Sequence, residues 1–393
     1  MDALLRDRLA WPFFEHRHLA LVKAVETWTA TNPVPHMADT DAACRAWVRA
    51  LGDAGWLRHC VPAAWGGASD EIESRSLTLL RECLAAHDGL ADFAVAMQGL
   101  GSGAISLEGS AELRQQWLPR VASGDAIAAF ALTEPDAGSD VGAMACRAER
   151  VGDHYEISGE KTWISNGGIA DFYTVFARTD PASKGAKGIS AFVVPADAPG
   201  LSVAERMNVI APHPLARLRF VKCRVPAANR LGDEGAGFKL AMRTLDIFRV
   251  TVAGAALGFA RRALTEALSY ATNRAMFGTT LAQQPLAQAT LGDMASDFDA
   301  AALLTYRAAW LRDTTGARTT REAAMAKLAA TEHAQSIIDR ALQLHGARGV
   351  QHGVMVERLY REIRSLRIYE GASEVQRLII GRETVAAARP REA

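Results

Sequence analysis

Near the C-terminus, the stretch "RIYEGASEVQRL", Arg367 to Leu378, sets a single carboxylate, Glu370, between an apolar pair, Ile368 and Tyr369, and a glycine, Gly371. A carboxylate at a sharp turn beside apolar groups is either an ordinary helix cap or a general base. In the second case, dry surroundings raise its affinity for a proton. Ser373 and Glu374 suit a helix start, and Val375, Leu378, Ile379 and Arg382 follow at helical spacing. Glu370 therefore lies just before a helix N-terminus.

Four more segments carry side chains that could hold a ligand, and each has a plain structural explanation beside it. In "FALTEPDAGSD", Phe130 to Asp140, a strand ends at Thr133 and runs into a turn holding Pro135, Gly138, Ser139 and Asp140. Backbone N–H groups and short hydroxyls at a strand end can grip a polar ring edge or a phosphate; a simple turn explains them equally well. In "KTWISNGG", Lys161 to Gly168, an indole, a hydroxyl and a glycine turn could wall a flat ligand, or Trp163 could be core. In "NRAMFG", Asn273 to Gly278, Arg274 and Phe277 lie three apart and are expected on one helix face. Together they suit a phosphate and an aromatic ring; otherwise they are a solvated arginine over a core ring. In "LQLHGARGV", Gln343 sits on the last turn of a helix, and a glycine stop accounts for the pattern by itself.

The elements that must position these groups fall into three textures. Residues 1–125 read as helices: Leu19, Val22 and Val25 recur at helical spacing, and Ser110 and the "RVASGD" end look like a cap and a glycine stop. Residues 126–232 read as short β-branched and aromatic strands, with a hairpin around Gly152 and Asp153. With no helix between them, these strands favour an antiparallel barrel or sandwich over a nucleotide-binding βαβ unit. Residues 233–393 read as long helices, which favours a C-terminal four-helix bundle and an α+β multidomain chain.

Composition narrows the function classes. The chain has 393 residues, 49% hydrophobic and 22% charged, enough for two or three domains with a sizeable core. Lysine and arginine number 44 and balance 44 aspartates and glutamates, which argues against nucleic acid or an anionic membrane as the main partner. Arg358, Arg361, Arg364 and Arg367 recur every three residues, but Glu357 and Glu362 interrupt them, so a salt-bridged face is expected. Five widely spaced cysteines show no metal-ligand pattern, so no metal is expected and a reducing, cytoplasmic location fits. Neither a signal peptide nor an apolar stretch long enough to span a bilayer is expected.

Taken together, "LTEPDAGSD", "KTWISNGG", "RAMFG" and "IYEGASEVQRL" resemble the signatures of the FAD-dependent acyl-CoA dehydrogenase family, in order and at similar separations. The helical–β–helical organisation resembles that family as well. The resemblance implies that FAD lies between the β domain and the C-terminal bundle. Phe130, Leu132 and Thr133 would line the isoalloxazine ring. Trp163 and Ser165 would wall it and hydrogen-bond to it, and Ser139 would sit near both FAD and the CoA chain. Arg274, Phe277 and Gln343, with Gly346 and Ser373, would contribute to FAD binding, the first three reaching the FAD of a neighbouring subunit. That implies a homotetramer built as a dimer of dimers, passing electrons to an electron-transfer flavoprotein. Glu370 matches the family base, which takes the acyl α-proton as a hydride leaves the β-carbon, giving the trans-2-enoyl-CoA. The backbone N–H of the base and an FAD hydroxyl would hold the thioester oxygen.

The resemblance also implies a substrate site formed by Arg249, Tyr369, Gly371 and Ser139, with Phe93, Met97 and Gln98 of the helix "HDGLADFAVAMQGLGSGAI" shaping the acyl pocket. No basic residue occurs between Asp88 and Ile105, which argues against a dicarboxylic acyl group. Relatives that keep the base on the helix "TLDIFRV" would have it at Phe248, which cannot take a proton. The alternatives are a flavin oxidase or monooxygenase on the same fold, which often changes the carboxylate present here, and a DNA-associated flavoprotein, which needs a basic surface.

Overall fold

Helical spacing at both ends of the chain and β-branched runs in its middle fold accordingly. The computed structural model describes residues 3–33 and 37–388. Helices come first: α1 (Ala3–Arg8), α2 (His16–Thr31), α3 (Thr40–Asp53), α4 (Ser74–His87), α5 (Gly89–Glu108) and α6 (Ala111–Ser123). Strands follow: β1 (Ala128–Ala131), β2 (Arg147–Val151), β3 (His154–Ser165), β4 (Phe172–Arg178), β5 (Ile189–Pro195), β6 (Leu201–Arg206), β7 (Leu215–Pro226) and β8 (Arg230–Leu231). The rest is α7 (Gly237–Asn273), a small hairpin of β9 (Ala275–Met276) and β10 (Thr279–Thr280), then α8 (Pro285–Thr315), α9 (Thr320–Leu344), α10 (Met355–Leu366) and α11 (Ser373–Ala388). Backbone contacts group the chain into two compact units. One comprises Met1–Val34, Ser74–Asp92 and Arg249–Ala393; the other comprises Pro35–Glu73 and Phe93–Phe248.

The second unit is built on one eight-stranded sheet in the order β6-β7-β3-β2-β4-β5-β8, with β1 beside β4. The sheet is mixed rather than wholly antiparallel as expected, because β1 runs parallel to β4 and β2 meets β4 in parallel at Arg147 and Arg178. The β2–β3 hairpin turns on Gly152 and Asp153, with Val151 opposite His154 and Gly152 at φ 61°. Strands β4 and β5 are buried along six of seven residues each, whereas β6 is an exposed edge carrying Glu205 and Arg206. Part of α5 covers the sheet closely: a Cβ at Gly101 would lie 2.7 Å from Ala129 N. Ser110 caps α6 by accepting from Leu113 N, and Gly124 closes that helix at φ 76°.

In the first unit, α9 packs against α8, α10 and α11, and α4 packs against α2 and α8. Close approach of α7 to α4 needs glycine: a Cβ at Gly254 would lie 2.5 Å from Thr78 O, and one at Gly258 would lie 2.3 Å from Glu82 O. A buried carboxylate, Glu82, accepts from Arg8 Nη2 at 2.6 Å and from the Tyr306 hydroxyl, which pins α1 to the helices beneath it. The arginine stripe of α10 is salt-bridged, as expected, through Arg358–Asp88 at 3.0 Å, Arg361–Glu357 at 2.7 Å and Arg367–Glu332 at 2.8 Å. A second expectation also fails. The 20-residue α5, with a window of mean hydropathy 1.2, is long and apolar enough to cross a membrane; 83% of that window is buried within the protein.

Candidate active site

Helix α10 ends with Ile368 N and Tyr369 N both donating to Ser365 O, at 2.9 and 3.1 Å. The chain then turns through two left-handed residues, Glu370 at φ 52° and Gly371 at φ 93°, before α11 begins. The second is a natural glycine position, since an added Cβ would meet Gln376 Nε2 at 2.4 Å. The first is not, because an L-residue there is strained, and such strain collects at functional sites.

The turn is fixed through its carbonyls. Glu370 O accepts from Gln376 Nε2 at 3.2 Å and Arg249 Nε at 3.4 Å; Gly371 O accepts from Lys327 Nζ at 2.8 Å and Gln376 Nε2 at 2.9 Å. The backbone N–H of Glu370 has no acceptor among the described residues. Its carboxylate oxygen Oε2 is shielded from solvent and likewise has no hydrogen-bond partner among them. Burial raises the Glu370 pKa above its ordinary value, and the cations Arg81, Lys327 and Arg249 oppose that shift. Arg81 is itself held by Asp92 in a bidentate pair at 2.7 and 2.8 Å and by Thr251 Oγ1 at 2.9 Å. Burial also pushes the Lys327 ammonium down to about 8, against the pull of Glu370.

Several sequence expectations for this unit need adjusting. Ile368 and Tyr369 are 58% and 36% exposed in this chain, so neither is a core residue. The Ser373 hydroxyl donates to Glu332, which Arg367 Nε also holds at 3.0 Å; Ser373 begins α11 and serves this contact. Arg274 and Phe277 do not share a helix face, because α7 stops at Asn273. Phe277 instead tips the β9–β10 hairpin, where Phe277 and Gly278 both have positive φ (48° and 78°), as a two-residue hairpin turn of this type requires. That leaves Phe277 88% exposed and Arg274 exposed. Gln343 is exposed on the last turn of α9, and Gly346 follows at φ 59°.

In the other unit, the expected flavin residues gather around one irregularity. The register of β3 against β7 shifts between Lys161 and Ile164, and within this bulge Trp163 has φ 56°. The bulge turns the Trp163 indole outward, 56% exposed, and turns Lys161 fully inward. Lys161 Nζ then reaches Leu132 O at 3.0 Å and Glu134 Oε1 at 2.7 Å; Glu134 in turn accepts from Ala145 N at 2.6 Å and Cys146 N at 3.1 Å. Thr162 N donates to Thr133 O at 2.9 Å. The end of β1 is thus locked to β3, with Phe130 half-buried 5.0 Å from the Phe176 ring, Leu132 buried, Thr133 and Ser165 half-buried and Ser139 exposed. An outward indole beside a strand end with half-exposed hydroxyls fits a flat, polar-edged ring such as a flavin, and the exposed Arg274 and Phe277 fit a phosphate and an aromatic ring.

Phe93 and Met97 are buried, and His213 of the 207–214 loop packs edge-on against Phe93 at 4.5 Å. Gln98 does not face a pocket. It is fully buried, donating to Ala126 O at 2.7 Å and Val121 O at 3.3 Å and accepting from Ala128 N at 2.8 Å. Phe248 fills its position tightly, since a Cβ at Gly99 would lie 2.5 Å from its ring. Sequence reasoning assigned no role to Lys327, Gln376, Arg81, Lys161 or Glu134. A signal for Lys327 was present: it falls in the apolar stripe Ala323, Lys327, Ala330, Ala334, where a solvated lysine does not belong.

Comparison with known proteins gives a consistent picture. Models of the N-terminal, middle and C-terminal domains of acyl-CoA dehydrogenase match residues 15–125, 129–223 and 235–385. The chain is 42% identical over 337 residues to the mitochondrial short-chain specific acyl-CoA dehydrogenase of Mus musculus, covering 85% of this chain and 81% of that protein. The butyryl-CoA dehydrogenase of Megasphaera elsdenii superposes with a TM-score of 0.89 at 30% identity, over 95% of this chain and 99% of that one. A glutaryl-CoA dehydrogenase of Mycobacterium smegmatis in complex with FADH2 gives 0.89 at 29% identity, over 100% of both chains. With its strained glutamate and its outward-turned indole, this chain belongs to the acyl-CoA dehydrogenase family.

Proposed function

We propose that this FAD-dependent oxidoreductase dehydrogenates a short straight-chain acyl-CoA thioester between its α- and β-carbons, with Glu370 as the base. The observation that carries the reading is the Glu370 carboxylate: it sits on a strained turn, one oxygen shielded and unpartnered, and burial raises its proton affinity. A base must have a free lone pair, and a buried carboxylate is the better proton acceptor. The N–H of Glu370 is available to a thioester oxygen, where a donor would stabilise the negative charge that develops as the α-proton leaves. Bound FAD supplies the acceptor for the hydride released from the β-carbon. Phe130, Leu132, Thr133, Trp163 and Ser165 would hold its ring, and Arg274, Phe277 and Gln343 would reach the adenine half of a neighbouring subunit's FAD. Ser139, Arg249, Tyr369 and Gly371 would border the thioester. The short-chain assignment draws on the 42% identity to the mouse enzyme.

The same reading includes an electron-transfer flavoprotein as acceptor and a homotetramer. Supporting an assembly, the first unit exposes Phe277, Leu286, Val350, Leu378 and Val385, each more than half accessible. A cytoplasmic location is kept because all five cysteines are free thiols. The division into residues 1–125, 126–232 and 233–393 is kept because the three family models meet near those borders. The test is anaerobic titration of the yellow protein with acyl-CoAs of increasing length. Butyryl-CoA or a close neighbour should bleach the flavin, and Glu370→Gln should keep FAD while substrate reduction falls about 10²–10⁴-fold. Failure of every thioester to bleach the flavin, or full turnover in Glu370→Gln, would overturn the assignment.

A further inference from the structure

Two of the most deeply buried polar side chains in the first unit converge on the backbone of the candidate base. Lys327 and Gln376 have no solvent exposure, and between them they hold both successive carbonyls, Glu370 O and Gly371 O. A fully buried lysine normally has a carboxylate partner. Lys161 follows that rule, 2.7 Å from Glu134. Lys327 does not: its one hydrogen-bond acceptor among the described residues is a peptide carbonyl. Its charge therefore remains unneutralised by a contact pair, while its ammonium is fixed beside the turn that carries Glu370.

We infer that Lys327 and Gln376 are positioning residues for the base: their hydrogen bonds hold Glu370 in its left-handed conformation with its carboxylate free, and the fixed Lys327 charge tunes how readily that carboxylate takes a proton. The inference rests on the reading of Glu370 as base. The field at the turn involves every neighbouring element. Glu370 faces Arg81 of α4, Asp92 of α5, Arg249 of α7 and Lys327 of α9; Lys327 faces Glu370, Arg249, Glu332 of α9 and Glu374 of α11. Arg81 is already engaged by Asp92 on two sides. Arg81, Lys327 and Arg249 all favour ionised Glu370, Arg81 most strongly, and Lys327 is bound to the next residue's carbonyl.

The holoenzyme provides the test, read as exchange of the acyl-CoA α-proton with deuterated solvent from pH 5 to 9, alongside kcat, KM, FAD content and melting temperature. Glu370→Gln comes first: if it still exchanges the α-proton at the wild-type rate, the base assignment itself fails. If it does not, Lys327→Met should lower exchange and kcat about ten- to hundredfold with KM little changed, as expected for a misplaced base. It should also move the acid limb of the profile to higher pH, because a cation that favoured the carboxylate has gone. Lys327→Arg should return the acid limb toward its wild-type position. A lysine that merely stabilises the fold would lower the melting temperature and leave the limb in place, and that result overturns the inference. Should Lys327→Met not fold, Gln376→Leu carries the test, removing both amide contacts: exchange should fall about tenfold or more, and a wild-type rate in the folded, FAD-loaded variant would equally overturn it.

Discussion

At Glu370 two unfavourable contributions coincide. A left-handed L-residue costs roughly 1–2 kcal/mol, and burial penalises the ionised side chain. The sign of the second follows from the direction of the shift. Folding raises this pKa, so the penalty is absent at a pH below the ordinary carboxyl range and complete above the folded value. Glu370→Gln should therefore melt at a higher temperature than the wild type near pH 7 to 8, and the gap should close as the pH is lowered through the carboxyl range. Scanning calorimetry of the two proteins across pH checks this; a gap that does not depend on pH would mean the charge is not the cause. Lys327 responds in the opposite direction to pH. Its pKa is pushed down to about 8, so its penalty is complete below that value and fades as the pH rises toward 10.5. At this scale, the sequence sets Glu370 apart as a lone carboxylate between an apolar pair and Gly371, and the family resemblance is what proposes it as the base. Lys327 and Gln376 were not, because what they touch is a backbone carbonyl, and carbonyls leave no mark in a sequence.

Strand β3 does two things through one irregularity, sending Trp163 outward and Lys161 inward. The Lys161–Glu134 pair has almost no solvent access, at 0% and 6% for its side chains, and Glu134 also holds the amides of Ala145 and Cys146. Removing one partner of such a pair strands the other charge. Lys161→Met should destabilise the protein by about 3–5 kcal/mol and reduce FAD retention, since Leu132 O loses its donor as well. Urea melts and the flavin absorbance of the purified variant measure both. A loss under 1 kcal/mol with full FAD would show that the pair is dispensable. The β2–β3 hairpin was legible in the sequence, because Gly152 and Asp153 carry the turn chemistry locally. The bulge was not, because register in β3 is set by pairing with β7, some fifty residues later. Arg274 and Phe277 were misplaced for a related reason: nothing in "NRAMFG" marks the end of α7, whereas a Phe-Gly turn with two positive φ angles fixes the hairpin that follows.

For the whole molecule, the exposed apolar residues of the first unit are what supports the proposed homotetramer. Phe277 at 88% and Leu286 at 84% exposure are costly in water and suit an interface between copies. Phe277→Ser with Leu286→Glu should shift the sedimenting species to smaller size, each truncated anchor weakening association by on the order of 2 kcal/mol, and FAD should be released in parallel. An unchanged species with full FAD would exclude this face from the interface. The three textures along the chain were legible because each follows local periodicity. The grouping of Ser74–Asp92 with the C-terminal helices was not, since it depends on contacts such as that of Gly254 with Thr78, far apart in sequence.

The strained turn also has a consequence for laboratory evolution. Nothing about folding favours glutamate at position 370: its backbone angle suits glycine or asparagine, and its half-buried carboxylate is partly desolvated, with one oxygen shielded and without a partner among the described residues. A library of this chain sorted only for heat resistance should accumulate replacements there early, and clones that keep Glu370 should survive only when turnover is selected as well. The frequency of glutamate at that one position would then report how strongly each round of sorting had demanded catalysis.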